Sequence, residues 1–580
     1  MGLRNSILCS LLLLTASCAK KDGGSSASPS TSVPESSYCS GTSSVSGGVT
    51  ITSTAQYTRY NDGASGLNTT STRPIRYAEV QILDSSGNVI QCGETDSAGA
   101  ISLVIPKTAG TYTLKVNSRA DNNYVKASIL NSPTANQFYS ISSSFSLSGT
   151  ETTQSVTLTS APNSGTLEGG AFNILDQVYI ANSFLRNNTA CATCTTFTVA
   201  PKISIYWSPG VNPGQAYLGY QATQTISFFS KYDDPSVPRG LYILGGYNGS
   251  VCVDTDHFDN SVILHEYGHF LEDVYASSDS QGGSHDGNSI VDPRLAWSEG
   301  WANYFQAAAQ SSPVYYDTIG NSGCGSTSTA INLDLDHQGT RDVPTANGEG
   351  VFREVSVSRT LYTAMAAWGQ DGYAANVGFP LIWYSFSDST YGIKNTNVNF
   401  RNSGLFFEKL YSAVNTYANS KLTNLSSVLS YEYQPTDEAY YGKNLTAQTG
   451  ATCTFSYASG VPVSSSNSAY MFKSNKFFEY YYDGTSARSQ IILKYSAPSN
   501  NAYDLDLYVY VKDYIFESAS TLIGYSEATY PESGASGYEI VNLSGKPAGT
   551  YMINVQAYYQ AVKNTTTYYL ETTNGDRLCP

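Results

Sequence analysis

Five histidines stand in this 580-residue chain, and all of them fall between His257 and His337. Two belong to the run His265-Glu266-Tyr267-Gly268-His269. Residues four apart share a helix face, so His265 and His269 can turn ring nitrogens toward one metal ion. Imidazoles at this spacing suit Zn2+, and Glu266 is placed to take a proton from a water activated there. Chance would supply the pattern in about 0.001 chains of this composition. The bland alternative is a solvated helix face. Gly268 speaks against it, because glycine weakens a helix interior by about 1 kcal/mol and its place between the histidines points to close backbone packing.

A catalytic zinc takes a third protein ligand and keeps a fourth position open. Downstream, Asp292 and Pro293 supply an N-cap and a first helical residue, which puts Glu299 on a helix with Ala302 and Asn303 one turn further on. Glu299 is the candidate third ligand; His285 is the alternative, since a loop can also deliver a metal-binding histidine. Hydrolysis needs a further group to stabilise negative charge or protonate a leaving amine. His337 and Tyr362 are the candidates, with His285 beside them, each weighed against a surface or packing role. His257 reads as structural. Helical position makes Glu272, Asp273 and Asn303 eligible to orient the imidazoles.

Those residues need elements to hold them. Asp259 or Asn260 can cap the metal-binding helix, and Val262, Ile263, Phe270 and Val274 give it a surface to bury. Helical periodicity also marks 171–185 and 354–368, and strand-like runs occupy 202–207 and 240–245. Before this region, 78–83, 101–105 and 110–116 alternate with period two between Gly and Asp turns, as in a β-sandwich. After it, 490–495, 504–510 and 549–555 do the same. The expected fold is therefore multidomain: a β-sandwich over 39–162, an α+β catalytic region over 169–445 with the active-site helix inside it, and a C-terminal β-sandwich over 453–580.

Composition narrows the class. Lys plus Arg is 31 against 46 Asp plus Glu, a net charge of −15, which excludes the basic patch a nucleic-acid binder needs. Charged residues are 13%, against about 25% in ordinary soluble domains, while Tyr reaches 47 and Gly 49. That balance suits an extracellular β-rich protein. Residues 1–18 read as a leader: Arg4, an apolar stretch from Ile7 to Leu14, then small residues before Cys18. A Gly-, Ser- and Pro-rich tether follows over 19–38. Setting aside Cys9 and Cys18, eight cysteines remain, an even number that fits disulfides in an oxidising compartment.

Several stretches resemble known families. Thr15 to Cys18 resembles the lipobox of bacterial lipoproteins, with Thr15 where Leu is usual, which implies lipidation at Cys18 and attachment to the outer membrane or cell surface; cleavage after Ala19 would instead release a secreted protein. Glu79 to Leu83, Thr95 to Gly99 and Gly110 to Tyr112 resemble carboxypeptidase-regulatory-like domains. Asp504 to Leu507 with Ala548 to Val555 resembles the bacterial pre-peptidase C-terminal domain. His265 to His269, followed by Glu299-Gly300-Trp301-Ala302, resembles the gluzincins, the class containing thermolysin and the aminopeptidase N family. The metzincin extension fails, because Glu272 and Tyr275 stand where it needs Gly and His. Glu299 follows His269 by 30 residues, a longer gap than in a typical gluzincin. The resemblance implies a zincin-like core, Zn2+ at His265, His269 and Glu299, and hydrolysis of a polypeptide with Glu266 as general base. Residues 244–248 lack the carboxylate with which the resembling aminopeptidases hold a substrate amine. This favours an endopeptidase that binds extended chain along an edge strand such as 241–244. The alternatives are an adhesin or binding module on an inactive scaffold, and a zinc hydrolase of non-peptide amides.

Overall fold

A computed structural model describes residues 38–39, 45–190, 196–283, 285, 289–325, 328–336, 349–369, 372–394, 400–436, 443–457, 471, 473–496, 504–511, 522–527, 536–558 and 566–580. The leader with Cys18, the tether as far as residue 37, Cys191, Cys194 and His337 lie outside them.

Alternation builds the first layer. In Gly110–Asn117, Tyr112, Leu114 and Val116 are buried, and Val80 and Ile82 oppose them in register on Glu79–Leu83. Ser140–Leu147, Gly110–Asn117, Glu79–Leu83 and Val89–Glu94 form one sheet; Thr153–Ser155, Val49–Thr54 and Ala100–Ile105 form another. The two sheets fit the sandwich expected there. A buried ion pair, Arg119 on Glu79, closes one end.

The next sheet crosses the division expected at 162. Its order is Phe228–Ser230, Gly240–Ile243, Ile203–Trp207, Lys126–Leu130, Arg119–Asp121. Ile203–Trp207 runs parallel to both neighbours and is mostly buried, as parallel strands are. Two of the five strands thus come from the N-terminal region, and one apolar core runs from Val49 to Leu429. Gly240–Ile243 is interior, so the edge expected at 241–244 belongs instead to Phe228–Ser230, which pairs antiparallel on one side.

Seven helices carry the rest of this region among the described residues: α1 (Glu168–Asn188), α2 (Asn260–Tyr275), α3 (Pro293–Gln310), α4 (Glu354–Met365), α5 (Phe379–Ser387), α6 (Ser403–Tyr417) and α7 (Leu422–Tyr431). A hairpin of Val314–Ile319 and Thr329–Asp334 follows α3. The helix expected over 354–368 stops at Met365, where Ala366 turns extended.

The C-terminal strands form one near-barrel sheet, which fits the β-sandwich expected there. Lys443–Gln448 is shared: its first half pairs parallel with Asn475–Tyr482 and its second half antiparallel with Arg577–Cys579, joining two groups of strands. The far edges, Leu522–Ser526 and Ser536–Asn542, meet through a hydrogen bond from Ser526 to Glu539. A separate apolar core fills this unit. Disulfides join Cys39 to Cys92, Cys252 to Cys324 and Cys453 to Cys579. Among the described residues no helix is long and apolar enough to cross a membrane.

Candidate metal centre

Helix α2 is buried from Ser261 to Glu272, held on all sides. Asp259 stands at its N-cap, yet its carboxylate accepts from the Thr318 amide and hydroxyl, tying the helix start to the hairpin instead of capping it. Helix α3 begins as its sequence dictates, with the Asp292 carboxylate accepting from the Arg294 amide and Pro293 in the first turn. The two helices touch where Gly268 leaves room. A Cβ there would lie 3.0 Å from Ala302 Cα, and the Gly268 carbonyl accepts from Trp301 Nε1.

This contact brings three ligand atoms together. His265 Nε2 and His269 Nε2 are 3.1 Å apart, and Glu299 Oε2 lies 3.1 Å from the first and 3.2 Å from the second. All three residues are buried. A tetrahedral ion with bonds of about 2.0–2.2 Å spaces its ligands about 3.3–3.5 Å apart, so the triangle and its N,N,O donor set fit Zn2+.

The outer ring nitrogens are engaged, which fixes how the inner ones point. His265 Nδ1 meets Asn303 Oδ1 at 2.9 Å, an acceptor that requires N–H at that nitrogen. His269 Nδ1 meets Ser298 Oγ at 3.2 Å, and Ser298 donates to Glu272 Oε2 at 2.5 Å. The hydroxyl proton is thereby committed, so Oγ accepts from His269. Of the three orienting candidates, Asn303 acts directly and Glu272 through Ser298. Asp273 pairs with Arg239 at 2.5 Å. Ser298 had no motif signal beyond its place beside Glu299.

Glu266 is 1% exposed, and its carboxylate carries no hydrogen bond from the described residues. Burial raises its pKa, and the neighbouring His265 and His269 oppose that rise. Burial alone would also raise Glu299, but His285, His269 and His265 hold its carboxyl well below the usual range. His285 stands behind Glu299, not in the triangle. Its Nε2 lies 3.6 Å from Glu299 Oε1, and its Nδ1 lies 2.6 Å from Glu354 Oε2.

Tyr362 lies about 12 Å along α4 from Glu354, two turns beyond the residue that reaches the site. It packs half-buried on a cluster containing Val262, Leu335 and Tyr315. A tyrosine that does pack beside an imidazole is Tyr315, 3% exposed, with its ring centroid 6.0 Å from that of His265. Among 47 tyrosines nothing in the sequence singles it out. His257 is buried against Trp207 and Phe258, and burial lowers its pKa to about 3, which suits a neutral packing histidine.

A second acidic group was not legible beforehand. Carboxylate oxygens of Asp254, Asp256 and Asp317 lie within 4.8 Å of one another. Burial raises Asp254 to about 6, and burial with neighbouring carboxylates raises Asp256 and Asp317 further.

No protein-family model matches the chain, and no curated protein matches it. Among solved structures, it is similar over 22% of its length to the C-terminal extracellular domain of Mycobacterium tuberculosis EmbC, at 15% identity and a TM-score of 0.14. The match spans 43% of that domain's chain. The C-terminal CBM6 of LamC from Zobellia galactanivorans matches over 20% of this chain and 98% of its own, at 13% identity and a TM-score of 0.12. An aminopeptidase from a marine sediment Thaumarchaeota archaeon matches over 24% of this chain and 34% of its own, at 8% identity and a TM-score of 0.14. Likeness at this level assigns neither family nor activity.

Proposed function

We propose that the chain is an exported zinc-dependent peptidase with a gluzincin-like core, in which His265, His269 and Glu299 hold the ion and Glu266 is the general base. The observation that carries this reading is the convergence of three buried ligand atoms, each imidazole oriented from behind, beside a buried carboxylate that carries no hydrogen bond from the described residues. When bound there, Zn2+ polarises a peptide carbonyl and makes a water easier to deprotonate.

The chain's own groups do the rest. Glu266 accepts the proton of the attacking water on its carboxylate and returns it to the leaving amine. Tyr315, whose ring packs beside that of His265, is the hydroxyl we propose to stabilise charge on the carbonyl oxygen. Phe228–Ser230, at the end of its sheet, is the strand we propose for addition of extended polypeptide. The lack of a carboxylate in residues 244–248 favours an endopeptidase. Export rests on the leader and on disulfides suited to an oxidising compartment, with Cys18 as the proposed lipid anchor.

The test is chelator-sensitive cleavage of an unstructured protein by the chain from Ser37 onward, wild type beside Glu266→Gln. The reading expects cleavage by wild type alone. One bound zinc without cleavage would move the reading to a non-peptide amide substrate or a binding module, and no bound zinc would remove the metal assignment.

A further inference from the structure

We infer that His285, held by Glu354, is a positioning residue that fixes the orientation of Glu299; this rests on the metal reading above. Among the described residues, two buried atoms face each other without a hydrogen-bond partner: His285 Nε2 and Glu299 Oε1, 3.6 Å apart. His285 is 4% exposed, and Glu299 is fully buried. A buried polar atom left unpaired is costly, so the approach of these two to each other calls for a reason.

The loop after α2 is built to deliver this ring. Lys231 Nζ donates to the Ser280 carbonyl at 2.7 Å, and Asp279 accepts from the Arg401 amide at 2.9 Å and guanidinium at 2.8 Å. Gly282 and Gly283 then take φ of +72° and +134°, a turn that L side chains rarely adopt. Beyond it, His285 Nδ1 meets Glu354 Oε2 at 2.6 Å. Glu354 is itself fixed, as the 3% exposed first residue of α4.

The consequence concerns which oxygen of Glu299 faces the histidines. With Nδ1 committed to Glu354, the ring meets Glu299 only through Nε2–H, the donor, with Oε1 as acceptor. A move of about half an ångström turns 3.6 Å into a hydrogen bond. That bond takes up Oε1 and leaves Oε2 to the two imidazoles. Without His285, Oε1 is buried with nothing to hold it, and the carboxylate is free to rotate both oxygens toward the ion. The same logic makes a carboxylate behind a metal-binding histidine worth about 10- to 100-fold in affinity.

The experiment uses Co2+ as the probe, with affinity from chelator competition and coordination from visible absorption. His285→Ala is expected to bind Co2+ about 10- to 100-fold more weakly. Its visible band should weaken as a second Glu299 oxygen joins the ion. Glu354→Ala should move both readouts the same way, and the double variant should be no worse than His285→Ala alone. A folded His285→Ala with wild-type affinity and spectrum overturns the inference while leaving the metal site standing. If His285→Ala does not fold, Glu354→Gln decides: an unchanged spectrum overturns the inference, and a weakened band supports it. Wild type that binds no Co2+ overturns the metal reading itself.

Discussion

Gly268→Ala tests how far the contact between α2 and α3 sets the metal site. The added Cβ would lie 3.0 Å from Ala302 Cα, 3.4 Å from Ala302 Cβ and 3.5 Å from Phe305 Cβ. Carbon pairs rest at about 3.5–4.0 Å, so the helices must separate by roughly half an ångström. Alanine regains about 1 kcal/mol of helix propensity, while overpacking costs about 1–3 kcal/mol. The net loss of stability is therefore small, about 0–2 kcal/mol. Metal affinity should suffer more, because His265 and His269 ride on one helix and Glu299 on the other, with edges of only 3.1–3.2 Å to disturb. A tenfold or greater loss is expected, about 1.4 kcal/mol or more. Gly300→Ala is the control on the opposite face of α3, where Cβ would meet Val357 Cγ1 at 2.5 Å. It should lower stability more than Gly268→Ala. The measurements are thermal denaturation of the metal-free proteins and zinc competition with a chromophoric chelator. A folded Gly268→Ala that binds zinc as wild type does would refute the reasoning.

Three further outcomes follow from particular contacts. Ser298→Ala and Asn303→Ala should each weaken zinc binding by about 10-fold or more in the same competition assay, since each frees one imidazole to turn; unchanged affinity would mean that packing alone orients the rings. Asp254, Asp256 and Asp317 have folded pKa values above the unfolded value of about 3.9, so their favourable contribution is complete below pH 4 and is lost as pH rises through about 6 and beyond. Asp317→Asn should accordingly gain melting temperature relative to wild type at pH 7.5 more than at pH 4.5, and an equal difference at both would contradict the account. Arg119→Ala leaves Glu79, fully buried, without its ion partner and should cost about 3–5 kcal/mol in urea unfolding; a loss below 1 kcal/mol would show that water reaches the carboxylate.

What the sequence disclosed was what lies within one helical turn. The spacing of His265 and His269, the start of α3 at Asp292 and Pro293, and the close packing implied by Gly268 are local, and each has its structural counterpart. Asn303 and Glu272 were also reachable by counting turns from Glu299 and His269. Other features depend on contacts between distant segments, for which periodicity carries no signal. Lys126–Leu130 joins Ile203–Trp207 across more than seventy residues, so the N-terminal and central regions share a sheet that composition divides. Gly240–Ile243 has the apolar character of any strand, and only its neighbours make it interior. Glu354 finds His285 from 69 residues away, and Tyr315 reaches His265 from a hairpin with no motif of its own. The shared strand Lys443–Gln448 likewise joins the two groups of strands of the C-terminal unit by changing partner at its midpoint, which alternation alone does not reveal.

The most direct test of the central claim compares wild type and Glu266→Gln, each carrying one equivalent of zinc, for cleavage of an unstructured protein. The account expects equal zinc binding in both, cleavage by wild type, its loss on chelation, and none by the variant. Equal cleavage by both proteins, or a zinc-loaded wild type that cleaves nothing, would contradict it.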